Sequence, residues 1–151
     1  MVAEIVLGLL CLCSAIYLFF CGIAYFKLAF GGRKKAQKNE QPPVSVIISA
    51  RNEAVHIKNN LTLILRQDYP VFEVIVIDDC SWDSTLTVLK EVQSTDPRLK
   101  ILEIKEDNVY KHGKKLALTI GIKSAQYEHL VFTDADCYPA SKNWLTQIME
   151  N

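Results

Sequence analysis

The chain has 151 residues, enough for one domain, and 50% of them are hydrophobic while 23% are charged. This composition excludes an intrinsically disordered chain, a collagen-like chain and a small disulfide scaffold. The 17 basic and 17 acidic residues balance overall, but residues 41–151 hold 12 basic and 15 acidic ones. A mildly acidic domain lacks the positive surface that binds a nucleic-acid backbone, so nucleic acid is not expected as a partner.

The first predicted element is a transmembrane helix. The 22 residues from Ile5 to Phe26 carry no charge, and a helix of that length covers a hydrocarbon core of about 30 Å. A buried core helix would carry a polar face, and a cleaved signal peptide would have a shorter apolar run behind a basic start. We therefore predict a retained transmembrane helix within residues 1–30 and a basic juxtamembrane linker over residues 31–43.

The charges on either side of this helix predict its orientation. Only Glu4 precedes the apolar run, whereas five Lys or Arg residues follow it between Lys27 and Lys38. Basic residues within about 15–20 positions of a helix end stay on the cytoplasmic side. We predict a protein of the cell (inner) membrane that is single-pass in this segment, with its soluble domain in the cytoplasm. Cys80 and Cys137, outside the helix, form neither a disulfide framework nor a metal-ligand pattern.

Residues 44–151 alternate between predicted strands and predicted helices. The strands are the apolar runs 44–50, 73–78, 99–105 and 129–134, and the third of them has the alternation of a strand nearer the sheet edge. The helices are expected over 53–67, after a cap at Asp83 or Ser84, over 113–126, and after a cap at Ser141. This order predicts an α/β fold, a mostly parallel sheet with helices on both faces.

Ligands of such sheets bind beyond the carboxyl ends of the strands. The sequence has no GxGxxG after the first strand and no GxxxxGK[ST] anywhere, so the dinucleotide fingerprint and the P-loop are excluded. Glu53 follows the first strand and is equally well explained as an acid in the first turn of a helix. Asp83, after the second strand, is explained by turn and cap chemistry. Of the adjacent Asp78 and Asp79, one is expected to hydrogen-bond nearby backbone and the other to face the crevice.

Basic residues precede the third predicted helix, in the segment KHGKK at 111–115. Cations at a helix N-terminus oppose the helix dipole. Two interpretations stay open: the segment is a solvated basic loop, or a bound anion satisfies both the dipole and the lysines.

Two carboxylates follow the fourth strand, which we predict to be buried. In extended backbone Asp134 and Asp136 point the same way, so both can converge on one point. Such a pair repels unless a cation lies between its members, and hard divalent ions take carboxylate oxygens. A DxD occurs by chance in many surface loops, but one that ends a strand downstream of the DD at 78–79 is a stronger indication of a metal site.

Four segments together resemble a known family: PVSVIISARNE, EVIVIDDCSWDST, KHGKKLAL and LVFTDADC. They are similar to the family 2 nucleotide-sugar glycosyltransferases with the GT-A fold, from about Pro43 to the end of the chain. The resemblance implies a membrane-anchored enzyme that moves a sugar from a nucleotide diphosphate sugar, of the UDP-sugar kind, to a polysaccharide or lipid-linked acceptor. It also implies inversion at the sugar and a divalent metal, Mg²⁺ or Mn²⁺.

The same resemblance implies a set of residues that bind the nucleotide sugar: Ala50, Arg51, Glu53, Asp79, Lys114 and Asp134. Among these, Asp79 would meet the uracil or the ribose, and Lys114 would approach the diphosphate. The metal ligands would be Asp134 and Asp136, with Asp136 the firmer of the two.

In that family the general base and the acceptor-binding half come later in the chain. We therefore expect residues 44–151 to be the nucleotide-sugar-binding half of a GT-A domain truncated at its C-terminus, with the general base beyond residue 151. Two alternatives are a nucleotidyltransferase, which would carry a glycine-rich loop after the first strand, and a non-catalytic, membrane-tethered nucleotide-binding module. Binding of UDP that depends on metal would separate the three.

Overall fold

The computed structural model describes residues 2–30, 41–105 and 113–150. The chain divides into two units, Met1–Lys35 and Ala36–Asn151. Helix α1 (Val2–Phe30) belongs to the first unit, and all other described elements belong to the second. Most of the predicted linker, residues 31–40, and the basic pair Lys111 and His112 lie outside the described residues.

Helix α1 contains an apolar stretch that is long enough to cross a membrane, Ala3–Ile23. None of this stretch is buried within the protein, and large side chains such as Leu10 and Phe20 are exposed. A helix that is apolar on all sides requires an apolar environment. By length and composition, the stretch is a candidate transmembrane span.

The second unit is built on a sheet of four parallel strands in the order β3-β2-β1-β4. The strands are β1 (Val44–Ala50), β2 (Phe72–Asp79), β3 (Leu99–Ile104) and β4 (His129–Asp134). The chain steps outward from β1 to β3 and then returns to the other side of β1. The switch point of the sheet therefore lies between β1 and β4, where a crevice is expected.

Most helices cover one face of the sheet. They are α2 (Ala54–His56), a π-helical turn (Ile57–Leu61), α3 (Thr62–Leu65), α4 (Thr85–Thr95) and α6 (Trp144–Met149). Apolar side chains from these helices, such as Leu89 and Leu145, belong to the same buried cluster as Val46 and Val76 of the strands. The segment predicted as one helix over 53–67 is thus helical from Ala54 to Leu65, with a π-helical turn inside it.

The other face carries α5 (Lys114–Ser124), which packs Ala117 against Ile47, Ile75 and Ile77. The helix approaches the sheet closely at Gly121, where a Cβ atom would lie 2.7 Å from side-chain carbons of both Ile47 and Ile77. The predicted parallel sheet with helices on both faces is confirmed.

Two local predictions are wrong. Strand β4 is not buried: Val131 is buried, but His129 and Phe132 are exposed, because β4 lies at an edge of the sheet that the described residues form. The last helix does not begin after a cap at Ser141. It begins at Trp144, and the carbonyl of Ser141 instead accepts a hydrogen bond from the side chain of Gln67.

Candidate functional site

A pocket of about 340 Å³ opens at the carboxyl ends of β1 and β4. Its walls are formed by Ser49, Arg51, Glu53, Asp79, Gly113, Lys114, Asp134, Ala135 and Asp136. The pocket lies at the switch point of the sheet, where ligands of such folds bind. Residues from four separate segments, each singled out in the sequence, therefore line one cavity.

Ala50 is the one predicted binding residue whose side chain the structure keeps away from this pocket. Its side chain is 1% exposed and packs in the core on the α2 face of the sheet. Ser49 lines the pocket instead, because successive strand residues point to opposite faces and Ser49 pairs with Asp134 across the sheet. The same alternation, applied to β1 in the sequence, could have identified Ser49. Ala50 is buried as a whole residue and does not line the pocket.

The loops that follow β1 and β2 are tied to each other. The N–H of Asn52 donates to the hydroxyl of Ser81 (2.9 Å), and the N–H of Trp82 donates to the side-chain oxygen of Asn52 (3.0 Å). Asn52 and Cys80 both have left-handed backbone, with φ of 57° and 54°. Such a conformation is costly for residues other than glycine and persists where surrounding contacts hold it. The two loops thus fix each other's shape.

Asp83 and Thr85 extend this link to the start of the first helical segment. The N–H of Glu53 donates to the hydroxyl of Thr85 (2.8 Å), and the N–H of Ala54 donates to Asp83 (3.3 Å). Asp83 also accepts from the N–H of Thr85 (2.9 Å) and from its hydroxyl. The hydrogen bond from the Thr85 hydroxyl is the main reason why the pKa of Asp83 is lowered. Of the two predicted caps of α4, Asp83 therefore makes the contact, while Ser84 makes no side-chain cap bond.

Arg51 lies between Asp79 and Trp82. Its Nη1 is 3.9 Å from Oδ2 of Asp79, and its guanidinium carbon is 5.8 Å from the centre of the Trp82 ring. Asp79 is buried and lines the pocket. Asp78 is buried too, and among the described residues its Oδ1 has no hydrogen-bond partner. The prediction that one aspartate of this pair faces the crevice is confirmed for Asp79.

Lys114 and Asp134 form an ion pair at the mouth of the pocket. The Nζ atom of Lys114 donates to Oδ1 of Asp134 at 2.6 Å, and the two side chains are 61% and 52% exposed. This hydrogen bond is the main reason why the pKa of Lys114 is raised. The cation expected to offset the repulsion between Asp134 and Asp136 is, in this structure, partly supplied by Lys114. The neighbouring Lys115 is exposed and does not line the pocket.

Asp136 lines the pocket from a turn, and not from the extended strand that was predicted. β4 ends at Asp134, and the chain then turns, with the N–H of Cys137 donating to the carbonyl of Asp134 (3.1 Å). The two carboxylates line one pocket because of this turn, and not because they belong to one extended strand. The thiol of Cys137 donates to Asp136 (3.4 Å), and this hydrogen bond is the largest contribution to the raised pKa of Cys137.

Comparison with known proteins adds independent information. Residues 45–151 match the family model described as glycosyl transferase family 2. The chain belongs to this family. It is 31% identical over 103 residues to the poly-beta-1,6-N-acetyl-D-glucosamine synthase of Staphylococcus epidermidis, covering 68% of this chain and 24% of the synthase.

Two solved structures of glycosyltransferases resemble the fold. The mannosyltransferase PcManGT of Pyrobaculum calidifontis, in complex with GDP-Man and Mn²⁺, is 30% identical with a TM-score of 0.71, covering 87% of this chain and 40% of that one. TarS 1–349 of Staphylococcus aureus, in complex with UDP-GlcNAc, is 30% identical with a TM-score of 0.60, covering 71% of this chain and 30% of that one. The family 2 chain described here thus spans less than half of each of these three proteins.

The pocket of this family 2 chain fits a divalent ion only if a ligand completes the coordination. Among the described residues, no group of three or more His, Cys, Asp or Glu side chains could hold a metal. Asp134 and Asp136 offer carboxylate oxygens at one pocket. Mg²⁺ is usually bound by one or two carboxylates together with substrate phosphates and water. The donor set therefore suits a metal that is shared with a phosphate ligand, and does not suit an all-protein metal cage.

Proposed function

We propose that residues 44–151 bind a nucleotide diphosphate sugar, of the UDP-sugar kind, as the donor half of a membrane-anchored glycosyltransferase. The observation that supports this most is the pocket at the switch point, which joins Asp79, Lys114 and the Asp134–Asp136 turn in one cavity. Membership of glycosyl transferase family 2 supports the reaction class and weighs against the nucleotidyltransferase alternative. The acceptor in this proposal is a polysaccharide or a lipid-linked glycan, with inversion at the sugar. No general base is assigned among the described residues.

The nucleoside is proposed to lie on the side of the pocket formed by the loops after β1 and β2. Asp79 is buried at this wall, and a carboxylate can accept hydrogen bonds from a base N–H or a ribose hydroxyl. Arg51 and Glu53 line the same wall, and the main chain of Ala50 ends the strand beneath them. The ties between the two loops support this role, because a binding surface that is already ordered loses less entropy when a ligand binds.

The diphosphate is proposed to lie beside Lys114, at the start of α5. Positive charge there is unfavourable for the helix dipole, whereas a bound anion satisfies both the dipole and the lysine. Gly113 precedes the helix with a φ of 153°, a conformation that other residues rarely adopt. The backbone at this wall of the pocket is thus free of a side chain where the anion would approach.

Asp134 and Asp136 are the residues that would hold Mg²⁺ or Mn²⁺. The ion, when bound, would supply positive charge and Lewis acidity to the diphosphate leaving group. Mn²⁺ in the complex of the related mannosyltransferase with GDP-Man supports this assignment. Lys114 already neutralises part of the charge on Asp134, so the ion and the lysine would share that carboxylate.

The membrane is proposed as the site of action. The apolar stretch of α1 and the five basic residues that follow it support an anchor over residues 1–30, a linker over 31–43 and a cytoplasmic domain from residue 44. Protease added to sealed, right-side-out vesicles should leave the domain intact and should digest it once the vesicles are opened. Digestion of the domain in intact vesicles would overturn the orientation.

The test of the nucleotide site is the binding of UDP to the full chain in detergent, measured by calorimetry with and without Mn²⁺. We expect binding that Mn²⁺ strengthens, and GDP measured in parallel would define the base. Preference for a nucleoside triphosphate would favour the nucleotidyltransferase, and binding of neither would favour the non-catalytic module.

Asp136→Ala is the variant that tests the metal ligand. We expect it to abolish the strengthening of UDP binding by Mn²⁺, because a hard oxygen ligand is lost, and to abolish sugar transfer in a longer protein that contains this chain. Asp96→Ala is the matched control, since Asp96 lies at the far end of α4 and does not line the pocket. The melting temperature of Asp136→Ala without ligand should stay near that of the wild type. An unshifted dependence on Mn²⁺ in Asp136→Ala would contradict the metal assignment.

A further inference from the structure

A side chain from the helical segment after β1 donates a hydrogen bond to the main chain of the Asp134–Asp136 turn. The Nδ2 atom of Asn60 donates a hydrogen bond of 3.2 Å to the carbonyl of Ala135, which is 75 residues away in sequence. Ala135 is the central residue of the Asp134–Asp136 turn, and its own side chain is 5% exposed and packs in the core. The turn is therefore fixed from below at its middle residue, while its two carboxylates face the pocket.

The place of Asn60 is itself well determined. It lies in the π-helical turn Ile57–Leu61, whose end residues are each 1% exposed in the core. The turn begins where the N–H of Ile57 donates to the carbonyl of Glu53 (2.8 Å), and Glu53 lines the pocket. π-helical turns are rare and occur often at functional sites. This one connects the nucleoside wall of the pocket with the acidic turn.

The Asp134–Asp136 turn also contacts Lys114, through the ion pair between Lys114 and Asp134. Because both side chains are largely exposed, this ion pair contributes little to stability. A divalent ion would compete with Lys114 for Asp134, and a diphosphate would compete with Asp134 for Lys114. The bond from Asn60 to the carbonyl of Ala135 uses neither charged group, so it can persist when both are engaged by a ligand.

We infer that Asn60 is a positioning residue, which holds the Asp134–Asp136 turn in the geometry that a shared metal ion and diphosphate require. This inference rests on the proposed function. It assigns Asn60 no contact with the ligand and predicts that its loss affects the metal-dependent part of nucleotide binding.

The experiment compares Asn60→Ala with Asn59→Ala in the full chain. Asn59 has the same side chain, lies one position earlier in the same π-helical turn and is exposed. The dissociation constant of UDP is measured by calorimetry with and without Mn²⁺, together with the melting temperature. In Asn60→Ala we expect the constant with Mn²⁺ to rise about threefold to tenfold, the range for loss of one hydrogen bond, and the metal-free constant to stay unchanged. Asn59→Ala should match the wild type in both.

A second variant, Asn60→Leu, keeps most of the side-chain bulk without the donor and should show the same selective loss. If UDP binding with and without Mn²⁺ falls equally in both Asn60 variants, or if both unfold while Asn59→Ala stays folded, Asn60 serves general stability and the inference is overturned. It is also overturned if both variants bind like the wild type. Wild-type protein that binds no UDP with Mn²⁺ would instead contradict the proposed function itself, so the two failures are distinguishable.

Discussion

The two walls of the pocket are held in place by different means. The segments that follow β1 and β2 are joined by hydrogen bonds in which a main-chain N–H of one segment donates to a side-chain oxygen of the other. The opposite wall, formed by the start of α5 and the Asp134–Asp136 turn, is joined by an ion pair between exposed side chains. The first wall contains two residues in left-handed backbone, Asn52 and Cys80, which the network stabilises.

This difference indicates which contacts of the pocket a bound ligand can replace. Two of these bonds, to the hydroxyls of Ser81 and Thr85, are partly buried, and a main-chain donor there does not exchange partners easily, since an unsatisfied group is costly. An exposed ion pair contributes little to stability and can be replaced by other charges. We expect the nucleoside wall to be ordered before ligand binding, and the diphosphate wall to exchange the Lys114–Asp134 pair for contacts with metal and phosphate.

Asp83→Ala should break the ordered wall and has the largest expected effect on stability. The variant loses the acceptor for Ala54 and for both donors of Thr85. Loss of a helix cap of this kind costs about 1–2 kcal/mol of unfolding free energy. The lowered pKa of Asp83 gives the sign with pH: its contribution is complete above the unfolded pKa of about 4 and is lost as the pH falls through the folded pKa. Chemical denaturation of wild type and variant at pH 7 and pH 3 measures both effects.

The control for this prediction is Asp96→Ala. Asp96 also accepts hydrogen bonds within its own loop, from the N–H and side chain of Arg98, and its pKa is also lowered, mainly by the Arg98 side chain. It lies at the other end of α4, so its loss should lower stability without weakening UDP binding. If UDP binding weakened equally in Asp83→Ala and Asp96→Ala, the hydrogen bonds between the segments after β1 and β2 would have no specific effect on nucleotide binding.

Lys114→Met tests the opposite wall of the pocket, where Lys114 is proposed to contact the diphosphate. We expect the dissociation constant of UDP to rise about fivefold to tenfold, because a charge-assisted contact to the diphosphate is lost. The folded state should be little affected, since the pair with Asp134 is exposed. Lys115→Met is the matched control, because Lys115 is exposed and does not line the pocket. UDP affinity that is equal in Lys114→Met and Lys115→Met would mean that Lys114 is only part of a solvated basic loop.

The sequence predicted the parts of this molecule that follow from periodicity. Strands β1 and β2 are short runs rich in Val and Ile, so their ends could be predicted to within one residue, and one aspartate of the pair after β2 could be expected in the crevice. The exposure of β4 was missed because an apolar run has the same composition in the middle of a sheet and at its edge. Asp134 and Asp136 were expected to converge because they would lie on one extended strand, but they line one pocket because the chain turns after Asp134. Such a turn depends on tertiary contacts, such as the hydrogen bond from Asn60, that the sequence pattern does not show.

Features that depend on side-chain partners far apart in sequence were not predictable by pattern. The left-handed backbone of Asn52 is supported by Ser81 and Trp82, which lie about thirty positions later. The π-helical turn leaves the spacing of Ile57 and Leu61 the same as in an α-helix, so periodicity cannot reveal it. Such contacts become visible only when the strands have been placed side by side.

Trp82→Ala tests the smallest effect, the orientation of Arg51. The guanidinium of Arg51 lies against the exposed ring of Trp82, which limits the rotamers that this long side chain can adopt at the pocket wall. An exposed cation–π contact contributes about 0.5–1 kcal/mol, so we expect the dissociation constant of UDP to rise about twofold to fivefold. Trp82→Phe retains an aromatic face and should lose less affinity. In an Arg51→Ala background, Trp82→Ala should have no further effect, because the ring then has no cation to orient. Additive losses in that double-mutant cycle would show that the ring of Trp82 affects nucleotide binding independently of Arg51.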